Sequence, residues 1–175
     1  MTRIMLVDDD ENVLSSLRRT LTSANYQIEI FNSPADALSR GQTTEFSLVI
    51  SDYRMPGMDG VFFLTTLRRT QPDAIRIILS AYTDLGALLG AINGAEIFRF
   101  ITKPWNDYDL KTVVTHALAH RTVLLENRRL ADMVRAQQEE IYLQQQAIKD
   151  LETKYPGITR VNRGMDGSII LDDDG

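Results

Sequence analysis

Several side chains that could do chemistry follow short apolar runs of this sequence. Asp8 and Asp9 come directly after the first such run, Asp52 ends the third, Ser80 follows the fourth and Lys103 follows the fifth. If these residues lie together, the carboxylates need a cation, because two unit charges about 4 Å apart repel by roughly 4 kcal/mol at an effective dielectric constant near 20. The pattern therefore predicts a charged site that combines acids, a hydroxyl group and an ammonium group.

The chemistry that suits such a site is phosphoryl transfer. A cluster of oxygen ligands selects a hard divalent ion, and Mg²⁺ is the ion that we predict. A metal ion held by carboxylates beside Lys103 would stabilise phosphoryl oxygens while Asp52 attacks in line and becomes an aspartyl phosphate. A solvated acidic residue after a strand is the ordinary interpretation for any single one of these positions. Only the complete set, in this order, favours the phosphoryl-transfer site.

The elements that would position these residues alternate between strand and helix. Apolar runs rich in Val and Ile and closed by turn residues are typical of strands that are covered on both faces. In open parallel sheets, ligands bind at the carboxyl ends of the strands. We therefore predict a doubly wound α/β domain with right-handed crossovers. Its strands are predicted at residues 3–7, 27–31, a run ending on 52, 75–79 and 97–102, and its helices at 11–23, 34–41, 61–70, from 83–84 onward, and from 107 onward.

Composition limits the possible functions. The chain has 175 residues, a net charge of -5 and no cysteine, which allows one ordinary core plus an extension and excludes disulfides and thiolate metal sites. No long apolar segment suggests a signal peptide or a membrane contact, so a cytoplasmic location is expected. The acidic balance argues against direct binding of nucleic acid, although four arginines gather at 121, 128, 129 and 135.

Four motifs, in this order, resemble the receiver domain of bacterial two-component response regulators. The resemblance covers roughly residues 1–122 and implies a flavodoxin-like five-stranded parallel sheet, Mg²⁺ as the cofactor and a histidine kinase as the phosphodonor. It also implies a signalling domain that catalyses only its own phosphorylation and dephosphorylation, rather than an enzyme. The motifs are LVDDD at 6–10, SDYRMPGMDG at 51–60, ILSAYTD at 78–84 and FRFITKPW at 98–105.

The same resemblance implies the metal ligands. Asp52 corresponds to the phosphoacceptor and also contacts the metal ion. Asp9 corresponds to a direct Mg²⁺ ligand, Asp8 to a residue that acts mainly through water, and Arg54 to the residue whose backbone carbonyl completes the metal shell. No other cofactor site is implied.

The resemblance also implies a switch. Ser80 corresponds to the hydroxyl that moves to the phosphoryl group, Phe100 to the switch aromatic residue, and Lys103 to the phosphate-contacting lysine, with Pro104 as a candidate cis-proline. Many receivers have Tyr at the position of Phe100, so the ring can rotate here without offering a phenolic hydrogen bond. Tyr82 and Arg54 occupy positions that tune the phosphoryl lifetime in the family.

The C-terminal part extends beyond a compact receiver. One helix from residue 107 to 154 would be about 70 Å long at 1.5 Å per residue. A heptad frame places β-branched residues at several a positions, which favours a two-stranded parallel coil and hence a homodimer through this helix. Asn127 at an a position would fix the register, unless it is simply a solvated residue of a lone helix, and Gln137 and Gln144 weaken the seam. The frame has a at Asn127, Val134, Ile141, Ile148 and Tyr155 and d at Val123, Leu130, Gln137, Gln144 and Leu151.

The predicted organisation is a receiver domain at 1–122, a coiled-coil extension at 123–154 and a tail at 155–175 with a possible hairpin and an acidic end. The first functional hypothesis is a dimeric response regulator whose output is a contact with an unknown protein. The alternative is the N-terminal regulatory part of a larger enzyme such as a cyclic-di-GMP phosphodiesterase. A third hypothesis, a structural protein that is never phosphorylated, conflicts with the complete phosphorylation site.

Overall fold

A computed structural model describes residues 2–22, 25–81 and 96–157. The helix predicted from residues 83–84 onward, Tyr82 before it, and the hairpin predicted within 158–171 lie outside the described residues. The described elements are β1 (Thr2–Val7), α1 (Glu11–Leu21), β2 (Tyr26–Phe31), α2 (Pro34–Gly41), β3 (Leu48–Asp52), α3 (Gly60–Arg68), β4 (Ile75–Ala81), β5 (Arg99–Lys103) and α4 (Asp107–Lys154).

The strands form one parallel sheet with the order β2-β1-β3-β4-β5. This order confirms the predicted flavodoxin-like fold. All five residues of the central strand β3 are buried, the polar Ser51 and Asp52 as well as the apolar residues 48–50 that predict a strand covered on both faces. Because every strand runs in the same direction, the carboxyl ends of all five strands meet at one edge of the sheet.

Two hydrophobic layers cover the sheet. On one face, α1 and the first part of α4 pack against alternate residues of β1, β3 and β4, while α2 and α3 cover the other face. Alternation along the strands follows from the two-residue period of a β-strand, and the helical contacts recur at three- or four-residue spacing. The helical residues of the first layer are Leu14, Leu17, Leu21, Leu110, Val114 and Ala117, and those of the second are Ala37, Phe63, Leu64 and Leu67.

Polar side chains at the starts of three helices fix where each helix begins. The carboxylate of Asp10 accepts a hydrogen bond from the Asn12 amide at 2.8 Å, and Asp59 caps α3 through the amide of Phe62. Ser33 caps α2, with Pro34 at its start as predicted. The loops after β1 and β3, which carry Asp9 and Arg54, therefore end at capped helix starts.

The structure lengthens β4 and shifts β5 relative to the sequence prediction. Ser80 and Lys103 were predicted to follow their strands, but both lie within strands, because the β4–β5 ladder continues through the pairs Ser80–Thr102 and Ala81–Lys103. Residues 97–98 precede β5, where the amide of Phe98 donates to the carbonyl of Arg76 at 2.8 Å. Apolar content alone does not reveal that a polar residue continues a ladder.

The chain divides into two compact units, residues 1–126 and 127–175. In the first unit, α4 contributes Leu110, Val114 and Ala117 to the core. In the second unit, the apolar a and d side chains of the predicted seam are exposed. None of the helices within the described residues could span a membrane. The predicted domain boundaries and the coiled coil stay predictions.

Candidate phosphoryl-transfer site

Acidic and basic side chains meet at the carboxyl edge of the sheet. Asp8 directly follows β1, Asp52 is the last residue of β3 and Lys103 is the last residue of β5. The Nζ atom of Lys103 lies 2.7 Å from Oδ2 of Asp8 and 2.5 Å from Oδ1 of Asp52. One ammonium group thus bridges two carboxylates from strands that are distant in the sequence but neighbouring in space.

Burial and pairing act on the ionisation of these groups in opposite directions. Asp8 is 1% exposed, and this burial raises the pKa of its carboxyl group above the usual value, although hydrogen bonds from Lys103 and from the Asp10 amide partly offset the effect. Burial alone would lower the pKa of Lys103, but hydrogen bonds to Asp52 and Asp8 outweigh it and raise that pKa. The ammonium group therefore stays charged at neutral pH.

Backbone amides hold the other oxygen of each carboxylate. The amide of Asp10 donates to Oδ1 of Asp8, and the amide of Arg54 donates to Oδ2 of Asp52, each at 2.9 Å. Each carboxylate therefore has one oxygen on Lys103 and one on a loop amide two residues later. These contacts fix the carboxylate orientations before any ligand binds.

The acidic residues could hold a metal ion. Asp8, Asp9 and Asp52 each offer a carboxylate oxygen, and these oxygens lie within 4.8 Å of one another. Oxygen donors at this spacing suit a hard divalent cation such as Mg²⁺. Asp9 is exposed while the other two are buried, so the cluster faces solvent on the side of Asp9. The backbone amide of Arg54 contacts Asp52, whereas the role of its carbonyl as a metal ligand stays a prediction.

The predicted switch residues lie on β4 and β5. Ser80 is buried, and its Oγ donates to the carbonyl oxygen of Ala81 at 3.0 Å. Phe100 is half-buried, pairs with Ile78 in the ladder and packs against the layer beneath α2 and α3. The Lys103–Pro104 peptide bond is cis. Because the hydroxyl of Ser80 donates to the carbonyl of Ala81, it must leave that carbonyl before it can donate to a phosphoryl group on Asp52.

Two residues that support Asp52 were missed in the sequence. Ser51 is fully buried, and its Oγ donates to the backbone carbonyl of Asp52 at 2.9 Å. Gly60 donates its amide to the carbonyl of Tyr53 at 2.8 Å, and a Cβ atom at Gly60 would overlap the carbonyl oxygen of Asp52. A glycine that lets two backbone segments approach closely could have been suspected at this loop–helix junction, whereas nothing distinguishes Ser51 from other strand residues.

Gly60→Ala is expected to destabilise the protein by about 1–3 kcal/mol, because the new methyl group must displace the backbone at Asp52. Urea unfolding followed by circular dichroism measures the change. Gly41→Ala is the matched control, since its Cβ would meet side-chain atoms rather than backbone, Cδ1 of Leu67 at 2.7 Å and Cγ of Gln71 at 3.8 Å. An equal loss of stability in both variants would contradict the close approach inferred at Gly60.

Comparisons with known proteins agree with this geometry. The model of the response regulator receiver domain matches residues 4–115. The chain is similar to the hydrogenase transcriptional regulatory protein HoxA of Cupriavidus necator, with 34% identity over 58% of this chain and 21% of HoxA. It is also similar to the C4-dicarboxylate transport transcriptional regulatory protein DctD of Rhizobium meliloti, with 32% identity over 73% of this chain and 27% of DctD.

A solved structure of an uncharacterized protein from Neptuniibacter caesariensis is similar over 72% of this chain and 93% of that protein, with 40% identity and a TM-score of 0.68. This chain thus spans about a fifth to a quarter of the length of the two curated relatives, but nearly all of that solved structure. The similarity to HoxA and DctD is therefore confined to one part of those longer proteins.

Proposed function

This chain belongs to the family of response regulator receiver domains of two-component systems, and we propose that it accepts a phosphoryl group from a histidine kinase on Asp52. The observation that carries the proposal is the pair of contacts from Lys103 to Asp8 and Asp52, within an acidic cluster at the carboxyl edge of the sheet. The alternative, a regulatory part of a cyclic-di-GMP phosphodiesterase, is not favoured, because the curated relatives reported above are transcriptional regulators.

In the proposed reaction, an oxygen of the Asp52 carboxylate attacks the phosphorus atom of a phosphohistidine. The new P–O bond forms as the P–N bond breaks, and the imidazole of the kinase leaves with the electron pair. Lys103 already contacts the attacking carboxylate and can place its positive charge beside the phosphoryl oxygens. The amide of Arg54 holds the second oxygen of Asp52 and so limits rotation of the carboxylate.

Mg²⁺ is the cofactor in this proposal, held by Asp8, Asp9 and Asp52, with the carbonyl of Arg54 as a further ligand. The spacing of the three aspartate carboxylates, whose oxygen atoms are hard donors, supports this assignment. When bound, the ion would neutralise negative charge on the phosphoryl oxygens. Asp9 is the exposed member and would bind the ion directly, whereas Asp8 is paired with Lys103 and would act mainly through water.

Asp9→Ala is therefore expected to weaken Mg²⁺ binding more than Asp8→Ala, because the first substitution removes a direct ligand and the second a water-mediated contact. Isothermal titration of Mg²⁺ into each purified variant measures both affinities. Asp10→Asn serves as the control, since asparagine can still cap α1 through its side-chain oxygen. Equal losses for Asp8→Ala and Asp9→Ala would contradict the assigned roles.

In the proposed switch, the first structural change after phosphorylation is a movement of Ser80. After phosphorylation, the hydroxyl of Ser80 would leave the carbonyl of Ala81 and donate to the phosphoryl group, and the ring of Phe100 would rotate. The chain would then signal through altered contacts of a homodimer formed by α4, or through a protein target. We also infer a cytoplasmic location and no catalysis beyond phosphorylation and dephosphorylation of the chain itself.

The similar proteins do not support the prediction that the chain makes no direct contact with nucleic acid. HoxA and DctD are named transcriptional regulators, and a further relative, NtrC of Klebsiella pneumoniae, is named a DNA-binding transcriptional regulator. Those names describe the relatives, which are much longer than the part they share with this chain. Transfer of the phosphoryl group from acetyl phosphate to Asp52, read by intact mass spectrometry, tests the proposed function directly.

A further inference from the structure

A groove of 590 Å³ lies between α1 and the end of β2. It adjoins the acidic cluster, because the amide of Asp8 donates to the carbonyl of Phe31 at 3.2 Å, but none of the three clustered aspartates lines it. Its apolar lining consists of Ile30, which is exposed, Phe31, which is half-buried, and the core residue Leu14, which is 2% exposed. Ile30 is 40% exposed, whereas Ile28, two residues earlier on the same edge strand, packs against the core. The groove therefore offers apolar surface that the described part of the chain leaves open to solvent.

The charged side chains of the groove are all acidic. Glu11 lies on one wall and Asp36 on another, while Ser15 and Asn32 supply neutral polar groups. No Lys or Arg lines the groove within residues 2–22, 25–81 and 96–157. Such a rim repels phosphate groups, which argues against nucleic acid and anionic lipid as occupants. It attracts a ligand that joins an apolar side chain to neighbouring cations.

We propose that this groove is a docking site for a basic amphipathic segment of a partner protein. An apolar side chain of that segment would cover Ile30 and the exposed part of Phe31, and Lys or Arg residues one turn away would face Glu11 and Asp36. Complementary charge directs such an encounter, while buried apolar area supplies the affinity. The groove volume falls within the range of roughly 300–1,000 Å³ that is typical of ligand sites.

The unphosphorylated full chain is the right sample, since the proposal does not depend on the chemistry of Asp52. The probe is an amidated helical peptide with leucines on one face and lysines on the other, and a matched peptide carries glutamates in place of the lysines. In ¹H–¹⁵N spectra, the lysine peptide is expected to shift the amide signals of Leu14, Ser15 and Asn32. The glutamate peptide is expected to leave these signals in place.

Ile30→Ser is expected to weaken binding of the lysine peptide roughly fivefold or more, because it removes most of the apolar contact. Phe62→Ser is the matched control: Phe62 is 61% exposed on α3, outside the groove lining, and its replacement should leave binding unchanged. The double variant Glu11→Gln, Asp36→Asn should also weaken binding and reduce its dependence on salt.

Three results would overturn the proposal. Equal binding by Ile30→Ser and by the unmodified chain would show that the groove contributes nothing. Peptide-induced shifts centred on Asp9 and Asp52 would assign the attraction to the acidic cluster. Concentration-dependent shifts without peptide that are confined to the groove signals, such as those of Leu14 and Asn32, would show that a second copy of the chain occupies the groove. Spectra of each variant without peptide establish that it is folded.

Discussion

Asp52→Asn is expected to abolish labelling of the chain by acetyl phosphate in the presence of Mg²⁺. Asp52 ends the central strand, and Lys103 and the acidic cluster flank its carboxylate. Asparagine has an amide nitrogen in place of one carboxylate oxygen and carries no negative charge. It therefore cannot act as the nucleophile that forms the acyl phosphate. Intact mass spectrometry, with the unmodified chain in parallel, should show the phosphoryl adduct only on the unmodified chain.

The matched control is Asp59→Asn. Asp59 lies in the same loop seven residues later, but its carboxylate caps α3, a role that asparagine fulfils equally well. This variant should be labelled like the unmodified chain. Undiminished labelling of Asp52→Asn, or loss of labelling in Asp59→Asn alone, would remove Asp52 from its proposed role.

The fold was predictable because the central strands β1, β3 and β4 are largely apolar runs of suitable length and the segments between them repeat apolar residues at helical spacing. β3 shows this well, since the apolar residues 48–50 are buried and the strand then ends on the polar pair Ser51 and Asp52. The site residues could be assigned to one edge for the same reason, because the carboxyl ends of parallel strands come together. The order of the elements and the family resemblance were enough to predict the site residues, and no side-chain contact had to be known.

Contacts between side chains distant in sequence were not predictable. Arg76 interrupts the apolar run of β4, yet it is 5% exposed, because its guanidinium group donates to the carbonyl of Ala74 at 2.8 Å and pairs with Glu96 at 3.3 Å. Glu96 also pairs with Arg68 of α3. A buried arginine costs free energy unless such partners are present, and the sequence does not show which carboxylate will reach it.

The bridge made by Lys103 was likewise only partly predictable. The sequence placed a lysine near two aspartates, but the structure adds that each carboxylate divides its oxygens between that lysine and a loop amide. This division depends on backbone conformation two residues beyond each aspartate. The need for glycine at position 60 was also not predictable, because it arises from the close approach of that residue to the carbonyl oxygen of Asp52 and not from its neighbours in the sequence.

Ile141→Lys is expected to shift the chain from dimer to monomer. Ile141 occupies a central a position of the predicted seam and is 53% exposed in the described chain. In a two-stranded coil it would meet its counterpart, so the substitution would remove two isoleucines, worth about 3–6 kcal/mol together, and bring two ammonium groups together. A change of this size corresponds to at least roughly a hundredfold weaker dimer. Sedimentation at micromolar protein concentration measures it.

Leu143→Lys is the matched control for this prediction. Leu143 is 62% exposed on the same helix but lies outside the a and d positions, so the same charge there should leave the dimer intact. Because both positions are exposed, neither substitution creates a cavity in the receiver core, and any difference reports on the seam. Truncation after about residue 125 removes the best part of the seam and should also shift a dimer toward monomer; the apolar residues lost are Leu130, Val134, Ile141, Ile148 and Leu151. A full chain that is already monomeric, with or without phosphorylation, would show that α4 does not form the predicted coiled coil.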